Sequence, residues 1–336
     1  MTFPVRAPDF WWSANSVCAR MLHPAALIYG AVSGRKMQRR PDYVSMLPVI
    51  CVGNFVAGGA GKTPVALALA EVLACAGKRP GFLSRGYGGS AKGPIVVDPL
   101  HHSAAEVGDE PLLLAKRALT LVAKDRIVGA RALERSEIDG IILDDGFQNP
   151  GLKKSQSWIV VDGAVGVGNG RCIPAGPLRA PLERQLPQAD MVVIMGDGPG
   201  GDALAKICAR AGITTIGASL TPSFDVGLRD RQLLAYCGIG RPEKFFNTLS
   251  EAGMHVSKQV AFADHHVISE SEARDLLSQA RSANAVPVTT EKDFVRMKHA
   301  TGPAQKDLVA ASHIIRVTCR FDNEVLIQRK LLKAYG

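Results

Sequence analysis

Apolar and polar positions fall in blocks along the chain, and the blocks have the lengths of strands and helices. Val49, Ile50, Cys51 and Val52 form an unbroken apolar run, as expected of a strand buried on both faces. A glycine-rich segment from Gly53 to Gly61 follows, and an Ala/Leu-rich run over 63–76 then predicts a helix. The alternation continues with strands over 79–84, 95–98 and 119–123, and with a strand and its exit loop over 140–148. Helices are expected from Asp109, with Pro111 in the first turn, and over 127–135. Further on, 158–162 and 191–195 read as strands, 203–211 and 270–280 as helices, and 233–246 as a strand, a glycine turn and a helix start. Residues 163–181 are loop-like, and 286–293 read as a strand with its loop.

Strands alternating with helices imply a doubly wound parallel α/β sheet with right-handed crossovers. The organisation expected is an N-terminal helical element over 1–46, a core over 47–155, and a second, smaller α/β domain over 156–336 that contributes to the cleft. In the first segment Phe10, Trp11, Ala14, Val17, Cys18, Met21 and Leu22 recur at helical spacing, and Pro24 is expected to open a second short helix. Neither run approaches the ~18–20 apolar residues of a bilayer span, and no signal-peptide pattern is present. Two tryptophans followed by Arg35, Lys36, Arg39 and Arg40 suit an anionic membrane surface; packing on the protein's own core is the alternative.

Composition narrows the partners. The chain has 336 residues, enough for two domains, and its formal charge of +9 favours anionic ligands. No aromatic-plus-basic pattern accompanies the charge, so nucleic acid is not an expected partner. Seven cysteines, odd in number and never in C-x-x-C spacing, fit a reducing compartment and no zinc site.

The candidate chemistry centres on the first strand, loop and helix, the order found at nucleotide phosphate sites. Gly58, Gly59 and Gly61, with Ala60 between them, let backbone N–H groups surround a polyphosphate. Lys62 would reach the β/γ-phosphates and the Thr63 hydroxyl would ligate Mg²⁺. The strict motif has glycine where Val56 stands, and a related loop form has lysine where Ala57 stands. Asp144 and Asp145 follow a strand, where such sites hold Mg²⁺ or its water shell. Asp109 and Glu110 are ambiguous on their own, a helix cap being the default for Asp109. In the His265-His266 doublet neighbouring side chains diverge, which favours one functional histidine over a shared metal.

Taken together, the segments resemble the tetraacyldisaccharide 4'-kinase family, within P-loop NTPase-like folds. The resemblance is carried by Val52-Gly-Asn-Phe-Val-Ala-Gly-Gly-Ala-Gly-Lys-Thr-Pro64, Ser84-Arg-Gly-Tyr-Gly-Gly89, Gly108-Asp-Glu-Pro111 and Asp144-Asp-Gly-Phe-Gln148. Pro174-Ala-Gly-Pro-Leu-Arg179, Gly238-Ile-Gly-Arg-Pro-Glu-Lys-Phe-Phe246, Phe262-Ala-Asp-His-His266 and Thr289-Thr-Glu-Lys-Asp293 extend it over most of the chain. It implies an ATP- and Mg²⁺-dependent kinase at the cytoplasmic face of the inner membrane, acting on an acylated glucosamine disaccharide 1-phosphate; a monomer is the expected state. It raises Asp109 from cap to catalytic base with His265 as partner, and adds Arg126 and Gln148 to the nucleotide set and Glu110 to the Mg²⁺ set. Ala180 departs from the acidic residue the family commonly carries after Pro-Leu-Arg179. Two other readings fit the loop: another small-molecule kinase or ligase, for which residues 1–46 would be dispensable, and a nucleotide switch, against which stands the missing lysine at Ala57.

Overall fold

The computed structural model describes residues 7–13 and 15–336. Ala14, one of the positions in the N-terminal apolar pattern, lies outside the described residues. Twelve strands are present among them: β1 (Val49–Gly53), β2 (Pro80–Ser84), β3 (Ile95–Val96), β4 (Thr120–Val122), β5 (Gly140–Asp144), β6 (Gln156–Asp162), β7 (Met191–Met195), β8 (Thr214–Ser223), β9 (Leu233–Cys237), β10 (Val256–Ala261), β11 (Val286–Thr290) and β12 (His313–Phe321). They form one sheet in the order β10-β9-β11-β12-β8-β7-β6-β1-β5-β2-β4-β3.

β1 runs through the middle, parallel to β5 and β6, and every residue of it is buried. Its alternate side chains feed two apolar layers: Val49 and Cys51 join one, Ile50 and Val52 the other. A strand covered on both faces has no polar side, which is why its sequence is a plain apolar run. Only β12 against β8 and β3 against β4 run antiparallel.

The sheet continues across the boundary expected between residues 155 and 156. β6 pairs directly with β1, and β7 and β8 lie beyond it on the same side. The strands β9, β10 and β11 carry apolar layers of their own. β12 joins the two halves: its first residues pair parallel with β11 and its remainder pairs antiparallel with β8. The helix Glu324–Leu332 then returns to the first half, burying Ile327 and Leu331 in the layer that holds the helix Lys62–Cys75.

At the N-terminus a 3-10 turn, Asp9–Trp12, replaces the start of the expected long helix, and short helices follow at Val17–Met21 and His23–Met37. Trp11 is committed to the protein itself, its indole N–H donating to the Pro174 carbonyl (2.9 Å). The helix His23–Met37 is unusual in what it buries. Ala26, Gly30, Gly34 and Met37 face inward, with Gly30 against Cys172 and Pro181, while Leu27, Ile28 and Val32 are 60–70% exposed. Small residues inward and large apolar ones outward is the reverse of an ordinary surface helix. Among the described residues no helix is long and apolar enough to cross a membrane.

Candidate active site

The segment after β1 is shaped from both ends. Asn54 Oδ1 accepts the Val56 N–H (3.0 Å), and the extended stretch 55–57 is stitched to 177–179 through Ala57 N–H to Pro177 O (2.8 Å) and Arg179 N–H to Phe55 O (3.0 Å). Val56 is buried in the core by this pairing, which accounts for a large apolar residue where a strict phosphate loop has glycine. The open part begins at Gly58: a Cβ on Gly58 or Gly59 would meet nothing within 4 Å. Gly61, left-handed at φ 88°, caps the helix Lys62–Cys75 with no side chain on its N–H groups. Those first donors and the positive end of the helix dipole therefore face the loop's concavity, a ready anion seat.

The end of β5 faces this seat. Asp145, itself left-handed at φ 47°, accepts from Arg179 Nη1 (2.7 Å), lies 3.9 Å from Lys62 Nζ, and offers its backbone carbonyl to Arg126 Nη2 (3.4 Å). Burial works to raise its carboxyl, but the charges of Lys62 and Arg179 outweigh that and bring it to about 2. Asp144 beside it goes the other way. Burial, with Glu110 and Asp145 as like-charged neighbours, raises it to about 7 despite Lys62 and the Ser84 hydroxyl, which donates to Oδ2 at 3.2 Å. Asp144 Oδ1 and Arg126 Nε are buried with no hydrogen-bond partner. A carboxyl oxygen and a guanidinium N–H, both buried and unpaired on either side of Asp145, suit a cation and an anion respectively. Gln148 is spent on the protein: its amide donates to Asn54 O (2.6 Å) and Gln185 Oε1 (3.0 Å), bracing the start of the loop.

Asp109 opens the helix Asp109–Leu114 but does not cap it; Gly108 occupies that position, and Asp109 Oδ1 only accepts the next N–H, of Glu110 (2.8 Å). Gly108 has φ 91°, and a Cβ there would sit 2.6 Å from Tyr87 O, so the glycine lets the 84–89 loop lie against this turn. The other oxygen, Oδ2, is surrounded by the far half of the sheet. His265 Nδ1 lies 3.0 Å from it, Arg296 Nε donates to it at 2.6 Å, and Lys292 Nζ stands 4.0 Å away. Lys292 also reaches Glu110 Oε1 (3.3 Å) and His265 Nε2 (3.4 Å). A carboxylate on Nδ1 and an ammonium on Nε2 assign the ring proton to Nδ1. Burial favours the neutral form of Asp109, yet the His265 hydrogen bond and the Lys292 and Arg296 charges hold its carboxyl well below the usual range. His265 therefore lowers the basicity of Asp109.

The doublet separates as expected. His266 bonds Glu272 (3.0 Å) and stacks on Phe262, away from the cleft, while His265 takes a left-handed backbone (φ 58°) to face Asp109. Sequence reasoning brought together Lys62, Asp144, Asp145, Asp109, Glu110 and His265, but gave no role to Lys292 or Arg296, whose only signal was their place in or just after the Thr289–Asp293 segment. It also expected a loop there, where the helix Glu291–Met297 stands. Ala180 is fully buried in an apolar layer with Ala26 and Leu186.

Residues 18–335 match the family model described as tetraacyldisaccharide-1-P 4'-kinase. Similar curated proteins include tetraacyldisaccharide 4'-kinase of Methylobacterium radiotolerans, 47% identical over 99% of both chains. That of Parvibaculum lavamentivorans is 49% identical over 88% of both. Among solved structures, LpxK from Aquifex aeolicus in complex with ATP superposes with a TM-score of 0.71 at 24% identity, covering 95% of this chain and 99% of that one.

Proposed function

The chain belongs to the tetraacyldisaccharide-1-P 4'-kinase family, and we propose that it transfers the γ-phosphoryl group of ATP to the 4'-hydroxyl of tetraacyldisaccharide 1-phosphate in lipid A biosynthesis. The observation that carries the mechanism is the meeting of Asp109 and His265, 156 residues apart, across the cleft from the phosphate loop.

The loop N–H groups from Gly58 to Gly61 and the start of the following helix bind the polyphosphate, and Lys62 and Arg126 offset its charge. Asp109 accepts the proton of the sugar hydroxyl as the bond to phosphorus forms, and His265 holds the carboxylate in place. Mg²⁺, when bound, neutralises phosphate charge. Thr63, Asp144, Asp145 and Glu110 would hold it, and the unpartnered Asp144 Oδ1 fits that role. Among the described residues no three acidic, histidine or cysteine side chains form a ready metal cage. This suits a cation held partly by substrate phosphates and water. The outward face of the helix His23–Met37 seats the enzyme, as a monomer, on the cytoplasmic face of the inner membrane, where the acyl chains remain in the bilayer.

The test is ³²P transfer from γ-labelled ATP to tetraacyldisaccharide 1-phosphate in detergent micelles, with wild type and Asp109→Ala. Labelled lipid with wild type and near-loss with the variant is expected. ATP hydrolysis without labelled lipid would replace this reading with the nucleotide switch.

A further inference from the structure

Arg296 has no assigned part in this chemistry, yet its guanidinium is the most completely engaged cation in the cleft. Its side chain is 4% exposed, as is that of Asp109. Nε donates to Asp109 Oδ2 at 2.6 Å, Nη1 donates to Gly238 O at 2.7 Å and to Asp293 Oδ1 at 2.6 Å, and Nη2 lies 3.5 Å from His265 Nδ1. The anchors are themselves fixed. Asp293 accepts from the Gly238 N–H (3.0 Å) and from the Thr290 hydroxyl (2.6 Å), and the His265 N–H donates to Gly238 O (3.1 Å). A Cβ at Gly238 would be tight, 3.0 Å from Ala263 O and 3.2 Å from Asp293 Oδ1. His265 and Arg296 thus reach Asp109 as one hydrogen-bonded unit belonging to the β9–β11 half.

Both members of that unit take the same oxygen. Oδ2 receives Arg296 and His265, whereas Oδ1 receives only the adjacent Glu110 N–H. Each carboxylate oxygen has two in-plane lone pairs, so Oδ1, with one bond, keeps one free and Oδ2, with two, does not. Planarity then fixes the free lone pair once Oδ2 is clamped. We propose that Arg296 is a positioning residue for the phosphoryl transfer, locking Asp109 Oδ2 so that Oδ1 is the oxygen that receives the proton of the attacking hydroxyl.

This rests on the kinase reading above. Arginine suits the task better than lysine because its planar fork holds Asp109, Asp293 and Gly238 O in fixed relative directions. Lys292, one helical turn earlier, is a point charge shared among Glu110, His265 and Asp109, and fixes none of them in direction.

The experiment is a double-mutant cycle on lipid phosphorylation, with kcat and the KM for ATP measured for wild type, Arg296→Met, Asp109→Asn and the double variant, and Arg296→Lys alongside. Arg296→Met should lower kcat by roughly 10- to 100-fold with the KM for ATP within about threefold. Arg296→Lys should recover part of that loss. In the Asp109→Asn background, Arg296→Met should change kcat by less than about twofold, because the group it acts through is gone. Losses that multiply across the cycle, or a near-normal Arg296→Met, overturn the proposal while leaving the kinase reading intact. Wild type that labels no lipid overturns both. Should Arg296→Met fail to fold, by its unfolding midpoint, the cycle is run with Arg296→Lys, and the same additivity test decides.

Discussion

Two aspartates are buried in the same cleft, and their surroundings drive them in opposite directions. Asp144, at the end of β5 in the phosphate-loop half, sits among like charges, and burial with Glu110 and Asp145 pushes it up to about 7. Asp109, where the β9–β11 half meets the first, has its basic partners gathered on Oδ2. Burial acts on it too, but His265, Lys292 and Arg296 hold it well below the usual carboxylate range. One half of the site keeps a buried carboxyl oxygen, Asp144 Oδ1, without a partner; the other has its charges already paired and aimed. A phosphoryl-transfer site needs both, a place for a cation brought with the nucleotide and a fixed acceptor for the hydroxyl proton.

The largest effects should come from removing either side of this contrast. Asp109→Asn keeps the shape of the paired side and removes its basicity, and kcat for lipid phosphorylation should fall by about 10²- to 10⁴-fold with the KM for ATP little changed. Steady-state kinetics in micelles check this, and a kcat within a few fold of wild type would take Asp109 out of the mechanism. Lys62→Met acts on the other side, removing the one lysine that bridges the loop and Asp145 (3.9 Å). A loss of about 10²- to 10³-fold in kcat/KM for ATP is expected. Unchanged nucleotide kinetics would break the assignment of the loop.

A smaller effect concerns the outward face of the helix His23–Met37. Replacing Leu27, Ile28 and Val32 with serine removes side chains that touch solvent and not the core, so the unfolding midpoint should move by less than ~2 °C. Co-sedimentation with vesicles containing anionic lipid should fall several-fold. Equal co-sedimentation would place the membrane contact elsewhere.

The phosphate-loop half was legible in the sequence because its parts are consecutive. A buried strand, a glycine loop and a helix announce themselves within thirty residues, and Asp144 and Asp145 follow an apolar run of the same kind. Val56 was legible as an exception but not its cause, the pairing with 177–179, which lies 120 residues on. The paired side was only half legible. Residue chemistry left Asp109 as a helix cap and His265 as one of two histidines; the family resemblance, not periodicity, joined them. Arg296 is 187 residues from Asp109, and only its place just after the Thr289–Asp293 segment marks it. β8, β10 and β12 escaped notice for a different reason. Polar and exposed residues interrupt their apolar ones, so none offers an unbroken apolar run like β1, and β10, at the sheet edge, has no buried residue at all. Trp11, counted toward a membrane face, instead bonds Pro174 O; what faces out is the helix His23–Met37.

The smallest effect probes Asp144 alone and needs neither lipid nor nucleotide. Its folded value of about 7 lies above the unfolded value of 3.8, so the folded chain binds this proton more tightly. The stability it contributes is therefore fully present below pH 3.8 and is lost as pH rises through 7. Asp145, brought to about 2, contributes the other way, losing its share only as pH falls toward 2, so it is silent in the window that matters. In EDTA, wild type should unfold at a midpoint roughly 3–5 °C lower at pH 8.5 than at pH 5.5, and Asp144→Asn should flatten that difference. Mg²⁺ added at pH 8.5 should restore part of the wild-type loss and none of the variant's, since it acts on the charge the variant lacks. A pH slope shared equally by both proteins would mean that Asp144 is already compensated, and the contrast with Asp109 would fail.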